Sequence, residues 1–201
     1  MTHLYLVRHG ETPWHAENRY CGRTDLPLTE NGRRQAAALA EWAREAGLAA
    51  VNSSPLIRAR ETAALAAQAA GVPHTVDERL VELDFGKVEG LTSAEMAQRW
   101  PEERAAFERD PVAYPLPGGE DPRRAIARGS AAVGEIATAY PESVVLVVCH
   151  STLLRLLTCH LTGIDPSRYR AEFPSVANTS GAVLHRDGGA WRLLGFNPAL
   201  R

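Results

Sequence analysis

Two uninterrupted apolar runs limit the possible folds of this chain more than any other feature. Leu4 to Val7 and Val144 to Cys149 are rich in β-prone residues and are continuous rather than alternating. Strands with that pattern are usually covered on both faces, as the central strands of an α/β sheet are. The sequence therefore predicts an α/β fold in which both runs form buried strands.

The segment between the two runs contains two helix patterns. The first extends from about Thr29, a favourable N-cap, to Gly47, a typical C′ residue. The second begins at Ser54, an N-cap followed by a proline at the first helical position, and extends to Gly71. A short strand is expected over about 49–53, immediately before this second helix.

The segment from Leu80 to about Arg123 differs in character, because five prolines interrupt its short helical stretches. We expect it to be a mostly helical insertion over one edge of the sheet. Beyond it, a helix is predicted over about 152–161, and strands over about 182–185 and 191–196 form a hairpin. With 201 residues and no internal repeat, residues 1–201 are expected to form one domain.

Charge and hydropathy exclude several classes of function. Lys and Arg total 22 against 24 Asp and Glu, so the net charge of -2 gives no general attraction to nucleic acid or anionic membranes. No apolar run approaches the roughly 18 residues of a membrane span, and no signal-peptide pattern begins the sequence. The cysteines at positions 21, 149 and 159 lack metal-type spacing. We expect a cytoplasmic protein that binds neither nucleic acid nor membranes.

Basic side chains occur where three of the predicted elements begin or end. Arg8 and His9 follow the first strand, Arg58 lies in the first turn of the second helix, and His150 follows the strand that ends at Cys149. Ligands of open α/β sheets bind beyond the carboxyl ends of the strands, so we expect these side chains to share one site. Arginine forks and helix N-termini are suited to binding a phosphoryl group.

Two histidines in such a site can divide the work of phosphoryl transfer. Nearby cations lower the pKa of a histidine, so one ring can remain neutral and nucleophilic while the other stays protonated beside the phosphate. The leaving oxygen also needs a proton, for which the insertion offers Glu82, Asp84 and Glu89. Apolar neighbours of Glu82 would raise its pKa toward the working pH, but the pattern alone does not choose among the three.

The ordered set of motifs resembles the histidine phosphatase superfamily, in the branch that includes cofactor-dependent phosphoglycerate mutases. The matching segments, which span nearly the whole chain, are Leu6 to Thr12, Leu28 to Ala36, Ser53 to Ala63, Glu82 to Gly90, Pro117 to Glu120 and Val148 to His150. The resemblance implies a doubly wound, mostly parallel sheet with helices on both faces, and makes the insertion over about 80–123 a lid.

The resemblance also implies roles for the site residues. His9 would be the phosphorylated nucleophile, Arg8, Arg58 and His150 would bind the phosphate, and Glu82 would donate the proton. Six residues after the nucleophile the family commonly has an asparagine that contacts the phosphate, whereas this chain has His15. A neutral histidine can still donate one hydrogen bond, so His15 is included as a candidate contact.

Substrate contacts are expected from the loop after the nucleophile. Cys21, Gly22 and Arg23 are the candidates there, and Arg23 suggests a second anionic group on the substrate. No metal or other cofactor is expected, because the arginines would repel a cation and no short-range pair of metal ligands occurs.

The predicted activity is hydrolysis of a small phosphorylated metabolite through a phosphohistidine. One alternative is an isomerase of the phosphoglycerate mutase type, which returns the phosphoryl group to a bound glycerate. The short stretch from Phe85 to Pro117, without a dense arginine cluster, favours the phosphatase. Another alternative is a catalytically silent phospho-ligand or protein-binding domain, which the complete pocket disfavours. A homodimer is the candidate assembly.

Overall fold

A computed structural model describes residues 1–200 as a six-stranded sheet with helices on both faces. The strands are β1 (Thr2–Arg8), β2 (Leu48–Ser53), β3 (His74–Val76), β4 (Val144–Cys149), β5 (Gly181–Asp187) and β6 (Ala190–Phe196). The helices are α1 (Glu30–Glu45), α2 (Ile57–Ala70), α3 (Ser93–Arg99), α4 (Pro101–Arg109), α5 (Pro122–Ala139), α6 (Ser151–Leu161) and α7 (Tyr169–Glu172).

The order of the strands brings three functional segments to one edge of the sheet. The order is β3-β2-β4-β1-β5-β6, in which β3, β2, β4 and β1 run parallel to one another. β5 pairs antiparallel with β1, and β6 pairs antiparallel with β5. This confirms the doubly wound, mostly parallel sheet expected from the sequence. At its carboxyl edge Arg8 is opposite Cys149, and Ser53 is opposite Val148. The residues that follow β1, β2 and β4 therefore meet.

Each face of the sheet is covered by its own hydrophobic cluster. Val7, Val51 and Leu146 pack with α1 and α2 on one face. Leu6 and Val147 face the other way and pack with α5 and α6. Successive side chains of a strand point to opposite faces of the sheet, and here each face is covered by a hydrophobic cluster. The two central strands therefore need apolar residues at every position.

The ends of α1 and α2 follow the capping signals unequally. Thr29 caps α1 by accepting a hydrogen bond from the backbone N–H of Gly32, and Gly47 beyond its end has φ +65°. The start expected for α2 at Ser54 was wrong, because Leu56 is the N-cap and the helix begins at Ile57. β3 and α5 were not predicted from the sequence.

The segment over 80–123 joins the layer formed by α5 and α6. Its buried side chains belong to the same hydrophobic cluster as those helices; they are Leu80, Leu83, Phe85, Val88, Met96, Phe107 and Leu116. Helices α3 and α4 form its outer part. Within residues 1–200, none of the helices combines the length and the apolar character that crossing a bilayer requires.

Candidate active site

A cavity of about 400 Å³ lies at the carboxyl edge of the sheet, where β1 ends and α6 begins. Arg8, His9 and Glu82 line it. Arg58 and His150 lie behind the ring of His9 and are completely buried, with 0% and 1% of their surface exposed. The structure therefore brings together all five residues that the sequence assigned to catalysis.

Hydrogen bonds fix the orientation and the tautomer of His9. Its backbone N–H donates to the carbonyl of Cys149, which ties it to the end of β4. Its Nδ1 lies 2.6 Å from the carbonyl oxygen of Gly10, so Nδ1 must carry the proton and donate it. Nε2 then bears the lone pair, and the Nε–H of Arg58 donates to it over 3.2 Å.

The surroundings of His9 also keep its ring neutral. Burial is the main cause that lowers its pKa well below the usual 6.5, and the positive charges of Arg58 and Arg8 lower it further. A neutral imidazole that carries its lone pair on Nε2 is the form that can act as a nucleophile.

Arg58 is held by the loop that precedes α1. Its Nη1 donates to the carbonyl of Thr24 over 2.8 Å, and its Nη2 donates to the carbonyl of Gly22 over 2.7 Å. A Cβ at position 22 would collide with the carbonyl of Leu83 and with the carboxylate of Glu89, so only glycine lets the loop pass so close. The loop therefore positions the guanidinium beside His9.

Arg8 is oriented by the segment that precedes β5 and by His15. Its Nη1 donates to the carbonyl of Val176 over 2.8 Å, and its Nη2 donates to Nε2 of His15 over 2.6 Å. The amide of Asn178 donates to the carbonyl of His9 over 2.9 Å and lies 3.2 Å from the same Nε2 of His15. His15 is thus an acceptor that holds Arg8 at the cavity.

The charge states of this pair follow from burial. Burial, followed by the charge of Arg8, lowers the pKa of His15 to about 4, so its ring is neutral near pH 7. Burial also lowers the pKa of Arg8 to about 10, which leaves its guanidinium protonated. Nδ1 of His15 accepts a hydrogen bond from the backbone N–H of Thr12 over 3.0 Å and lies 2.9 Å from Oγ1 of the same residue.

His150 is the N-cap residue of α6, and its ring lies beside that of His9 with 5.2 Å between the centroids. Its Nε2 is 2.7 Å from Oγ of Ser54, whereas its buried Nδ1 has no partner in residues 1–200. Burial, then Arg58 and His9, lower its pKa well below 6.5. The protein groups alone therefore favour a neutral ring, and protonation of His150 requires additional negative charge nearby.

Glu82 bridges the insertion and the N-terminus of α6. Its Oε1 accepts hydrogen bonds from the backbone N–H groups of Leu83 and Leu153, and its Oε2 accepts one from Thr152. These contacts hold the carboxyl at the wall of the cavity, with only 3% of the residue exposed. Oε2 accepts one hydrogen bond from the protein, whereas Oε1 accepts two.

The other two carboxylates do not line the cavity. Asp84 is exposed and accepts a hydrogen bond from the N–H of Gly86. Glu89 fastens the loop after His9 by accepting from the backbone of Arg23 and from the hydroxyl of Thr24. Of the three candidates for the proton donor, the structure places only Glu82 in the cavity that His9 lines.

The model of the histidine phosphatase superfamily (branch 1) matches residues 4–198. The chain belongs to this family.

Relatives and solved structures agree with that membership. The chain is 45% identical over 194 residues to "Bifunctional protein Rv2228c" of Mycobacterium tuberculosis, covering 94% of this chain and 52% of the relative. It therefore spans about half the length of that relative. It is 35% identical over 212 residues to "Probable phosphoglycerate mutase GpmB" of Citrobacter koseri, covering 94% and 97%. The structure of mycobacterial glucosyl-3-phosphoglycerate phosphatase Rv2419c complexed with VO3 matches with a TM-score of 0.90 and 31% identity, over 98% of this chain and 99% of that one.

The substrate contacts expected from the sequence lie in different places. Cys21 lines the cavity, while Gly22 acts through the carbonyl that orients Arg58. Arg23 is not among the lining residues, and its guanidinium pairs with Glu120 over 3.3 Å. Its role in binding substrate stays a prediction.

Sequence reasoning missed several polar residues of the site, among them Ser54, Asn178 and Arg155. Ser54 was interpreted as a helix cap, and Asn178 follows no recognisable pattern. Arg155 lines the cavity from α6, one helical turn after Ser151. The spacing of four residues on a helix that begins beside His150 was the available signal for it. In residues 1–200, no group of three or more His, Cys, Asp or Glu side chains is arranged to hold a metal ion.

Proposed function

We propose that this chain is a phosphoric monoester hydrolase that cleaves a small phosphomonoester through a phosphohistidine at Nε2 of His9. The observation that carries the proposal is the hydrogen bond between Nδ1 of His9 and the carbonyl of Gly10. It places the lone pair of the neutral ring on Nε2, to which the Nε–H of Arg58 donates. A nucleophile directed at a cationic pocket suits attack on phosphorus.

The first chemical step transfers the phosphoryl group to the enzyme. The lone pair on Nε2 of His9 attacks phosphorus, and the bond between phosphorus and the ester oxygen breaks. Arg8 and Arg58 bind the phosphoryl oxygens, since charge-assisted hydrogen bonds from arginine stabilise the charge that develops there. The carboxyl of Glu82 gives its proton to the leaving oxygen, so an alcohol departs rather than an alkoxide.

His150 adds a charge that depends on the substrate. The protein lowers its pKa, whereas a bound phosphate dianion raises it, because an opposite charge favours the protonated ring. The resulting imidazolium donates from Nε2 to Ser54 and from the otherwise unpartnered Nδ1 to a phosphoryl oxygen. The positive charge on His150 is therefore gained together with the phosphate.

The second step returns the enzyme to its starting state. The carboxylate of Glu82 accepts a proton from water, whose oxygen attacks the phosphorus of phosphohistidine. The bond from Nε2 of His9 to phosphorus breaks, and inorganic phosphate leaves. The proton that Glu82 gave to the alcohol is replaced by the one from water, so the cycle balances.

Trapping the intermediate tests this proposal. An aryl phosphate is mixed with the enzyme, the reaction is quenched with acid or alkali, and the protein is analysed for bound phosphoryl. We expect an acid-labile, alkali-stable adduct on His9 together with release of inorganic phosphate. Single-turnover reactions at several pH values that release phosphate without any adduct would overturn the covalent route.

An oxyanion inhibitor gives a second test. Vanadate should inhibit because it resembles the five-coordinate transition state, and the similar structure of Rv2419c is a complex with VO3. Chelators should leave the rate unchanged, because Arg8, Arg58 and His150 already supply the positive charge. Activity that is lost in EDTA and restored by a divalent metal would contradict this assignment.

A mutase-type isomerase is the second candidate, and the similarity to the relative named phosphoglycerate mutase favours it. It would use the same pocket but return the phosphoryl group to glycerate. We expect free phosphate to exceed isomerised phosphoglycerate, with and without bisphosphoglycerate. Predominant isomerisation that depends on bisphosphoglycerate would establish the alternative.

Organisation and assembly belong to the same proposal. Residues 1–201 are taken as one domain, with residues 80–123 as a lid that reduces exchange with solvent when an oxyanion binds. Hydrogen exchange in that segment should slow on addition of vanadate, and unchanged exchange would argue against a lid.

The partner is a small phosphorylated metabolite in the cytoplasm, and light scattering tests the homodimer.

A further inference from the structure

The cavity carries more positive charge than one phosphoryl group requires. Four arginines line it, Arg8, Arg19, Arg155 and Arg170, against the single carboxylate of Glu82. Arg19 is neutralised by Glu17 and Glu95, with which it makes ion pairs. Arg155 and Arg170 have no ion pair within residues 1–200, so the excess charge lies on the side of the cavity formed by α6 and α7.

Arg155 is the unusual member, because it is both buried and without a counter-ion. Only 9% of its surface is exposed. Arg104 and Arg128 also have largely buried side chains, and each pairs with a carboxylate, Glu108 and Glu120 respectively. Removing a charge from water is costly unless an opposite charge or several hydrogen bonds replace the solvent. Burial accordingly lowers the pKa of Arg155.

The guanidinium of Arg155 is oriented but only partly used. Its Nε donates to the carbonyl of Ser151 over 3.1 Å, and its Nη1 donates to the carbonyl of Phe173 over 3.2 Å. The ring of Tyr169 covers one face, with 4.7 Å between its centroid and Cζ. Nη2 makes no hydrogen bond to residues 1–200. It is not among the fully buried polar atoms that lack a partner, so it remains available to a ligand in the cavity.

The position of Arg155 suits a second group on the same ligand. It lies one helical turn, about 5.4 Å, beyond Ser151, which follows His150 directly. It is also near enough to Arg8 for its charge to lower the pKa of that arginine. Arg170 stacks on Phe107 at the same end and adds a more exposed cation.

We propose that Arg155, assisted by Arg170, binds a carboxylate on the substrate while Arg8 and Arg58 hold its phosphoryl group. This selects small phosphorylated carboxylic acids, in which a short carbon chain separates the two anions. One buried guanidinium neutralises a single negative charge, and its available Nη2 can donate a charge-assisted hydrogen bond to a carboxylate oxygen. The proposal rests on the phosphatase function given above.

A matched pair of substrates tests the subsite. 3-Phosphoglycerate and glycerol 3-phosphate differ only by a carboxylate in place of a hydroxymethyl group, and release of inorganic phosphate is measured for both. We expect the wild-type protein to prefer 3-phosphoglycerate in kcat/KM. Arg155→Gln should reduce that preference by roughly 10- to 100-fold, the range expected for one hydrogen-bonded charge.

Three further variants separate recognition from structure. Arg155→Lys keeps the charge without the fork and should restore part of the preference. Arg170→Gln should reduce the preference by a smaller factor. Because Arg170 is exposed, this variant should fold, so it tests the subsite even if Arg155→Gln does not fold. Arg192→Gln removes an exposed cation outside the cavity and should leave the preference unchanged.

The outcomes distinguish the subsite from the phosphatase function. If an aryl phosphate is hydrolysed but the wild-type protein treats the two substrates alike, the carboxylate subsite is overturned and the hydrolase stands. Equal losses on both substrates in Arg155→Gln would assign the residue a structural role only. If the aryl phosphate is not hydrolysed either, the phosphatase proposal itself fails.

Discussion

The two ends of the cavity are built by different means. At the inner end, defined by His9, Arg58, His150 and Glu82, no residue is more than 5% exposed, and each side chain is bonded to a separate segment of the chain. At the outer end, defined by Trp14, Ser93, Phe107 and Arg170, the lining residues come from short helices and loops, and Arg170 is exposed.

The difference corresponds to what each end must do. Phosphoryl transfer requires fixed distances and controlled charge, which burial and hydrogen bonds from several segments provide. Recognition of the remainder of a substrate tolerates movement, and loops on a rigid scaffold commonly supply it. Substitutions at the inner end should therefore change the chemical step, and substitutions farther out should change binding.

The largest effect should come from His9→Ala at the inner end. The variant lacks the nitrogen that forms the bond to phosphorus, so turnover of an aryl phosphate should fall below about a hundredth of the wild-type rate. Circular dichroism and the melting temperature should show a retained fold, because His9 lies beyond the end of β1. Substantial residual turnover through the same pocket would contradict the covalent mechanism.

Glu82→Gln should separate substrates by their leaving groups. An alkyl phosphate needs a proton on its leaving oxygen, so its hydrolysis should slow by roughly 10²- to 10⁴-fold, whereas an aryl phosphate needs little help. Phosphohistidine should accumulate with the aryl substrate, because water then lacks its base. The exposed neighbour provides the control, and Asp84→Asn should preserve both rates. Equal slowing without accumulation would make Glu82 a structural residue.

The pH dependence of stability provides a third comparison. The folded protein holds the pKa of His15 at about 4, below the value near 6.5 in an unfolded chain, so the unfolded state binds more protons as the pH falls. The stabilisation is present above about pH 6.5 and is lost between that pH and about 4. The lowered pKa values of His9 and His150 act in the same direction.

His15→Asn should therefore lose less stability on acidification than the wild-type protein. Melting temperatures of the two proteins at pH 8, 6.5 and 5 measure the difference in slope. Each kcal/mol corresponds to about 2–4 °C for a chain of this size, so a difference of a few degrees is expected. Parallel curves for the two proteins would show that His15 is not held neutral by the fold.

The smallest effect should come from Arg23→Gln, outside both ends of the cavity. Its side chain is 43% exposed, and its guanidinium pairs with Glu120. A surface ion pair contributes at most about 1 kcal/mol, so kcat/KM should stay within about twofold of the wild-type value and the melting temperature should change little. A large rise in KM would show that Arg23 contacts the substrate after all, as the sequence suggested.

Much of the fold and the reactive residues could be predicted from the sequence. Continuous apolar runs identified the central strands, since only strands buried on both faces need such sequences. Arg8 at the end of β1, His9 directly after it and His150 directly after β4 therefore meet at one edge of the sheet. The start of α2 could not be predicted in the same way. Oγ of Ser54 accepts from the backbone N–H of Leu56 and also lies 2.7 Å from Nε2 of His150, but the helix itself begins only at Ile57.

The sequence by itself determined which two strands lie in the centre of the sheet, the family, and the residue types that can bind and attack a phosphoryl group. Only the tertiary structure chose Glu82 over Asp84 and Glu89, because the N–H groups that hold it lie about seventy residues away on α6. The same is true of Arg155, which packing buries without an ion pair to any carboxylate of residues 1–200. Local patterns determine which groups a chain contains, whereas contacts between distant segments determine which of them are buried, charged and close enough to react.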